Sequence, residues 1–345
     1  QGKGFFHIGG SGHEAAGMAA ALSFKPGHDY AYPYYRDQAF CLGWGMETRH
    51  HLLSFLAKEG DPSSGGRQMP QHYGYKELNI VSQSSPTGTQ FLQAIGAGFS
   101  LIKNGDHAVV YVSAGEGATS QGDYHEALNW ASRDKSPVIF HIQNNHYAIS
   151  VPIADQTSGS SVYNISSGYD NLARFNVDGT NFFETHMAFN KAVDRARKGK
   201  GPSLIVSDVV RLLPHSSSDD QRKYRSEDEL AKDIQRDPLI IYENTCINAG
   251  IIKQDDFDKI KIKLKKQVDD DAEWAETQPD PIIQDIKKNI FSTTNNEIKI
   301  SQVKNSADKI VMIDAINHAL DEELIHNEKM IIYGQDVAGG KGGVF

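Results

Sequence analysis

From Ser84 to Asp208 helix-like segments alternate with short apolar runs, and this alternation narrows the fold more than any other feature of the chain. Helical periodicity covers residues 90–103, 122–134 and 181–199, and strand-like runs cover 107–113, 137–143, 172–179 and 202–210. Strands separated by helices point to an α/β fold with a parallel sheet and helices on both faces. Two of the runs end on informative residues. The first gives way to Gly115-Glu116-Gly117 and the second to Asn144-Asn145. Neighbouring strands of a parallel sheet bring their carboxyl ends together, and ligands bind in the crevice there. Glu116 and Asn145 both offer oxygen, so the pair suits one hard cation. Magnesium holding a diphosphate fits, because phosphate and water complete a shell to which the protein adds few oxygens. Taken singly, Gly-x-Gly and Asn-Asn are ordinary turn residues. The order strand, Gly-Glu-Gly, helix, strand, Asn-Asn is what makes them specific. A dinucleotide fingerprint is disfavoured, because Ser120 stands where the third glycine belongs.

The net charge of −9 over 345 residues argues against a nucleic-acid surface. Cys41 and Cys246 lie far apart without CxxC spacing, so neither a disulfide framework nor a zinc site is implied. A reducing, cytoplasmic setting is expected. No apolar run approaches the ~20 residues of a membrane span, and the N-terminus lacks both an initiator Met and a signal pattern. It reads as part of a longer natural chain. Helices are expected over 13–23 and 41–60, separated by the turn-rich stretch 25–38. Residues 211–226 form a polar loop. Ser226 followed by Glu229 is a capping-box signature, and charged helical sequence continues to about Lys288. Residues 289–306, rich in Asn, Ser and Thr, read as a linker. A new unit then begins near Ala307, with a helix, a strand over Met330–Tyr333 and a glycine-rich loop.

Residues 115–147 resemble the thiamine-diphosphate motif, whose family form is Gly-Asp-Gly, a spacer, then Asn-Asn. The chain most resembles the α part of the decarboxylating E1 component of 2-oxo acid dehydrogenase complexes. Its last residues, with Gln335-Asp336-Val337 and then Gly342-Gly343-Val344-Phe345, resemble the opening of the E1 β part, Gln335 replacing a Glu. The resemblance covers nearly all the chain. It implies a thiamine-diphosphate-binding fold in 1–288, a linker in 289–306, and an incomplete β-type α/β domain in 307–345 of a fused chain. Glu116 departs from the usual Asp, and a Gly-Glu-Gly form occurs in branched-chain members.

The resemblance also assigns residues. Glu116 and Asn145 would ligate magnesium by side chain and Tyr147 by its carbonyl. Gly115, Gly117 and Ala118 would approach the diphosphate through their backbone. Tyr35-Arg36 match a diphosphate contact, for which the planar arginine fork is suited. Ser85 and Thr87 would touch the cofactor, Thr87 standing where an apolar residue is common. Gln143, an Arg in some relatives, is a further cofactor candidate. His215 matches a histidine at the diphosphate and active-site mouth and is the catalytic candidate, while His72 would face substrate. Ser216 aligns with a serine that is phosphorylated in mitochondrial relatives. Ser84, Pro86, Thr89 and Gln90 match a turn that binds potassium. On residues alone that turn is a helix N-cap.

The implied activity is thiamine-dependent oxidative decarboxylation of branched-chain 2-oxo acids of the 2-oxoisovalerate type. It would be coupled to reductive acylation of the lipoyl domain of an E2 dihydrolipoyl acyltransferase. Pyruvate or acetoin is the alternative substrate. A non-catalytic assembly subunit is the alternative of another class. The implied assembly is a homodimer of fused chains or an α2β2 equivalent, with no nucleic-acid or membrane partner. The carboxylate that activates the cofactor belongs to the β part, so these residues would supply only the diphosphate and magnesium half of the site.

Overall fold

A computed structural model of the chain describes residues 3–4, 6–288, 290–291, 309–334 and 337. It divides into two compact units, Gln1–Lys287 and Lys288–Phe345. In the first unit α1 (Glu14–Ala21) precedes β1 (Tyr30–Tyr32), α2 (Gln38–Trp44) and α3 (Thr48–Phe55). Then come α4 (Thr89–Lys103), β2 (Val110–Gly115), α5 (Gly122–Asp134) and β3 (Val138–Asn144). A short antiparallel ladder of β4 (Tyr147–Ala148) and β5 (Val151–Pro152) follows, with α6 (Ile153–Gln156) and α7 (Val162–Ile165). The core closes with β6 (Ala173–Asp178), α8 (Phe182–Arg197) and β7 (Ser203–Asp208). Helices α9 (Glu227–Gln235), α10 (Pro238–Asn248) and α11 (Gln254–Glu276) complete it.

The five main strands pair in parallel in the order β1-β2-β3-β7-β6, as the alternation predicts. Side chains along a strand alternate between faces, and here the two faces meet different helices. Val110, Val112, Phe140 and Ile142 pack against Phe91 and Ile95 of α4 and Tyr124 and Leu128 of α5. The intervening residues Val109, Tyr111 and Ile139 pack with Phe40 of α2 and Phe189 of α8. Each helix presents its apolar residues at helical spacing, as with Tyr124, Ala127, Leu128 and Ala131 on α5.

The expected helix over 41–60 is two helices. Gly45 ends α2 at φ +117°, a left-handed conformation that glycine adopts at little cost. β1 lay hidden in the turn-rich stretch, being only three residues long and paired through a few bonds to β2. Ser226 caps α9 by accepting from the Glu229 amide at 3.2 Å, but Glu229 turns its carboxylate to Arg225 and Tyr147 and completes no box. In the second unit α12 (Met312–His326) forms as expected. Met330–Tyr333 is not a strand: no partner strand pairs with it among the described residues, and a strand exists only through such bonds. The linker 289–306, apart from residues 290 and 291, and the segment Gly342–Phe345 lie outside the described residues, as does Gln335.

Candidate active site

Gly115 ends β2 opposite Gln143 of β3, which brings Glu116 beside Asn145. Glu116 opens a 3-10 turn fixed by the Thr119 hydroxyl, which donates to the Glu116 carbonyl at 2.7 Å. The carboxylate is 1% exposed. Its Oε2 accepts from the Asn145 amide at 3.2 Å, and its Oε1 has no partner. A buried acceptor without a donor is costly, and burial pushes this carboxyl above its usual range. A cation at Oε1 would supply the missing partner and favour the ionised form. Asn145 lines the same cleft, and its Oδ1 accepts from the Tyr147 amide at 3.2 Å. Tyr147 pairs with Pro152 in the small ladder, and proline has no N–H to offer the Tyr147 carbonyl. Among the described residues no cluster of three His, Cys, Asp or Glu side chains forms a metal cage. A cation here would meet one carboxylate, one amide oxygen and a carbonyl rather than a carboxylate cage, and would take the rest of its shell from outside the protein, as a magnesium diphosphate does.

The other wall is cationic. Arg36, 3% exposed, donates from Nη1 to the Gly9 carbonyl at 2.7 Å and from Nη2 to the His215 carbonyl at 3.1 Å. It forms no ion pair among the described residues. Arg36 Nη2 also lies 3.0 Å from His215 Nδ1. Arginine can only donate, so Nδ1 accepts and the imidazole proton sits on Nε2. Burial, followed by the charges of Arg36 and Arg211, lowers the His215 pKa to about 4, so the ring is neutral at neutral pH. The Tyr35 ring packs edge-on against His215 at 6.1 Å.

These groups share a cleft of about 310 Å³. Ser84, Ser85, Pro86, Thr87 and Gln90 form part of its wall, and Gly115, Gly117 and Ala118 another part. A Cβ on Gly117 would stand 2.7 Å from the Ala148 Cβ, so glycine alone allows this close approach. The Ser84 hydroxyl is buried without a partner. Two expected residues lie off the cleft. Thr89 donates its hydroxyl to the Pro86 carbonyl at 3.2 Å. Gln143 is fully buried and bonds inward to His13 and Asp37, because strand alternation points it to the face of Ile139 and His141. His72 stands behind the wall, with Nε2 2.8 Å from the Ser85 hydroxyl. A second cavity, of about 380 Å³, lies by α2 and α3 between Leu42, Met46, Phe55 and Val268. No carboxylate lines it, so it does not compete as the cation site.

The model of the family described as "Dehydrogenase E1 component" matches residues 1–284. The chain belongs to the dehydrogenase E1 component family. It is 37% identical over 274 residues to the 2-oxoisovalerate dehydrogenase subunit alpha of Bacillus subtilis, covering 79% of this chain and 83% of that protein. It is 33% identical over 271 residues to the pyruvate dehydrogenase E1 component subunit alpha of Staphylococcus aureus, covering 78% and 70%. It is 32% identical over 269 residues to the mitochondrial 2-oxoisovalerate dehydrogenase subunit alpha 1 of Arabidopsis thaliana, covering 78% and 56%. The chain is thus an α-type E1 of a 2-oxo acid dehydrogenase, an oxidoreductase. The E1 family uses thiamine diphosphate, and its α chains work with an E2 in 2-oxo acid dehydrogenase complexes. No helix among the described residues is long and apolar enough to cross a membrane.

Sequence reading missed what holds this E1 loop in place. Within 211–226, Asp219 accepts from the His215 amide at 2.8 Å and from the Tyr224 hydroxyl at 2.5 Å. Arg211, 1% exposed, donates to Tyr224 Oη at 2.8 Å and to the Ile149 carbonyl at 2.9 Å. Arg225, also buried, reaches the Arg211 carbonyl, Glu229 and Asp233. The polar loop is therefore pinned from beneath by two arginines that deliver His215 to the cleft, and Ser216 sits beside it with its hydroxyl 3.0 Å from that of Ser218. Tyr34, which also lines the cleft, and His13 beneath it were likewise missed. Neither carries a sequence signal, since an aromatic residue and a helix-flanking histidine are commonplace.

Proposed function

We propose that this E1 chain binds thiamine diphosphate through magnesium and acts in the oxidative decarboxylation of branched-chain 2-oxo acids of the 2-oxoisovalerate type, with transfer of the acyl group to the lipoyl domain of E2. The observation that carries this reading is the buried, unpartnered Glu116 Oε1 in the cleft shared with Asn145, Arg36 and His215. Glu116 and Asn145 would hold magnesium by side chain and Tyr147 by carbonyl. Arg36, with Tyr35 packed beside it, supplies fixed positive charge for the diphosphate. The backbone at Gly115, Gly117 and Ala118 lets phosphate oxygens come close, with Ser85 and Thr87 opposite. Thiamine diphosphate supplies the nucleophilic carbon and the electron sink for loss of carbon dioxide. His215 holds a proton on Nε2 and offers it as a hydrogen bond at the cleft, and its low pKa keeps it neutral rather than a second fixed charge. Potassium is assigned to Ser84, Pro86, Thr89 and Gln90, supported by the orphaned Ser84 hydroxyl and the close oxygens of Thr89 and Pro86.

The branched-chain preference is supported by Glu116 in place of Asp and by the 37% identity to the Bacillus protein against 33% to the Staphylococcus one. Reading 307–345 as the opening of a β-type domain rests on the likeness of Gln335-Asp336-Val337 and Gly342–Phe345 to the start of an E1 β part. The corresponding assembly is an α2β2 equivalent. Calorimetric titration of the full E1 protein with thiamine diphosphate is expected to show binding that needs magnesium and is lost in Glu116→Gln. Magnesium-independent binding, or none, would overturn the cofactor reading, and none would favour a non-catalytic assembly role. Turnover of pyruvate above that of 2-oxoisovalerate would overturn the substrate assignment.

A further inference from the structure

An asparagine amide has two ends of nearly equal shape, and a hard cation takes only the oxygen end. Whatever orients Asn145 therefore decides whether the site can form. The structure places His13, 1% exposed, on its inner side. His13 Nε2 lies 3.5 Å from Asn145 Nδ2, and His13 Nδ1 lies 2.7 Å from Gln143 Oε1. Gln143 Nε2 donates to Asp37 Oδ1 at 2.5 Å, and Asp37 Oδ2 accepts from the hydroxyls of Ser113 and Tyr111. The far end of this row sets its direction. A carboxylate accepts, so Gln143 turns its nitrogen to Asp37 and its oxygen to His13. That oxygen also accepts, so the His13 proton sits on Nδ1 and leaves a lone pair on Nε2. The lone pair accepts from Asn145 Nδ2, which turns the Asn145 oxygen away from His13. The Tyr34 hydroxyl adds a second donor to Gln143 Oε1 at 3.4 Å, and the Tyr147 amide favours the same Asn145 orientation from the other side.

We propose that His13 is a positioning residue of the cation site, turning Asn145 oxygen-outward through a one-way row of hydrogen bonds that begins at Asp37. The proposal rests on the reading of Glu116 and Asn145 as magnesium ligands. The Asn145–His13 link is the longest in the row, so its effect is on orientation. Groups behind metal ligands commonly change metal affinity by about 10-fold or more when removed.

The test is calorimetric binding of thiamine diphosphate to the full E1 protein at stepped magnesium concentrations, with the thermal midpoint of the cofactor-free protein measured alongside. Wild-type binding without a magnesium requirement would defeat the site reading itself. Given that requirement, His13→Leu is expected to raise the magnesium needed for half-saturation by on the order of 10-fold. His13→Gln keeps one acceptor and one donor, and is expected to restore the requirement to within about threefold of wild type. If His13→Leu does not fold, Gln143→Met breaks the row one link back and is expected to shift the requirement in the same direction. An unchanged magnesium requirement in a folded His13→Leu or Gln143→Met protein would overturn the proposal. So would a His13→Gln protein as impaired as His13→Leu, because a role in packing alone gives no rescue by hydrogen-bonding capacity.

Discussion

Both faces of the parallel sheet pack apolar side chains against helices, but only one adds a buried polar row. On the α4–α5 face, Val110, Val112, Phe140, Ile142, Leu204 and Val206 meet helices through apolar contact. On the α1–α2–α8 face the same strands carry Ser113, His141, Gln143 and Ser207, all fully buried. These join in hydrogen bonds: Tyr111 to Asp37 and His141, His141 to Ser207, Gln143 to Asp37 and His13. The polar groups gather toward the strands' carboxyl ends, next to the cleft. Apolar contact is indifferent to direction and to proton concentration, and it stabilises whatever fits. A buried polar row is directional, and its desolvation is offset only when every member is paired. Apolar contact holds the sheet from both sides, and the polar row on the second face also fixes the orientation of groups behind the site.

The contrast can be broken from either side, and the apolar side gives the largest stability change. Phe140→Ala should destabilise by roughly 3–5 kcal/mol in denaturant unfolding, leaving the pH dependence of stability as in wild type. On the polar side, burial raises Asp37 from an ordinary 3.8 to about 6. A carboxyl whose folded pKa is raised contributes stability below its unfolded value and loses it as pH rises through the folded one. Wild-type stability should therefore carry a term that falls by at most about 3 kcal/mol over that window. Asp37→Asn should remove this slope, and a retained slope would assign it elsewhere. Tyr111→Phe keeps the ring stacked on Phe40 at 4.0 Å but removes the hydroxyl shared by Asp37 and His141. Its expected cost is about 1–3 kcal/mol. Equal losses from Tyr111→Phe and Phe140→Ala would erase the distinction between the faces. Ser226→Ala, away from both faces, should cost only about 1 kcal/mol through loss of a helix cap, with no pH dependence.

Much of the fold was legible because hydrophobic period is a local property. Helix 122–134 is read to the residue, and strands β2, β3, β6 and β7 to within a few. Gly45 was overlooked because a left-handed glycine looks the same in sequence as a tolerated one. The meeting of Glu116 and Asn145 in one cleft was legible, because motif and strand end coincide there. The same reading failed at Gln143, whose neighbour Asn145 faces the cleft while Gln143 faces inward. At 211–226 the sequence shows a polar loop but not its anchorage, which two buried arginines supply.

By itself the sequence determined the alternation of strands and helices, and with it the convergence of Gly-Glu-Gly and Asn-Asn at adjacent strand ends. It also determined the family to which those motifs belong. Only the tertiary structure decided which polar residues face the cleft and which brace it from below. Gln143 meets Asp37 across 106 residues of chain and His13 across 130. The direction of a buried hydrogen bond depends on both partners, and strand order and helix packing bring those partners together.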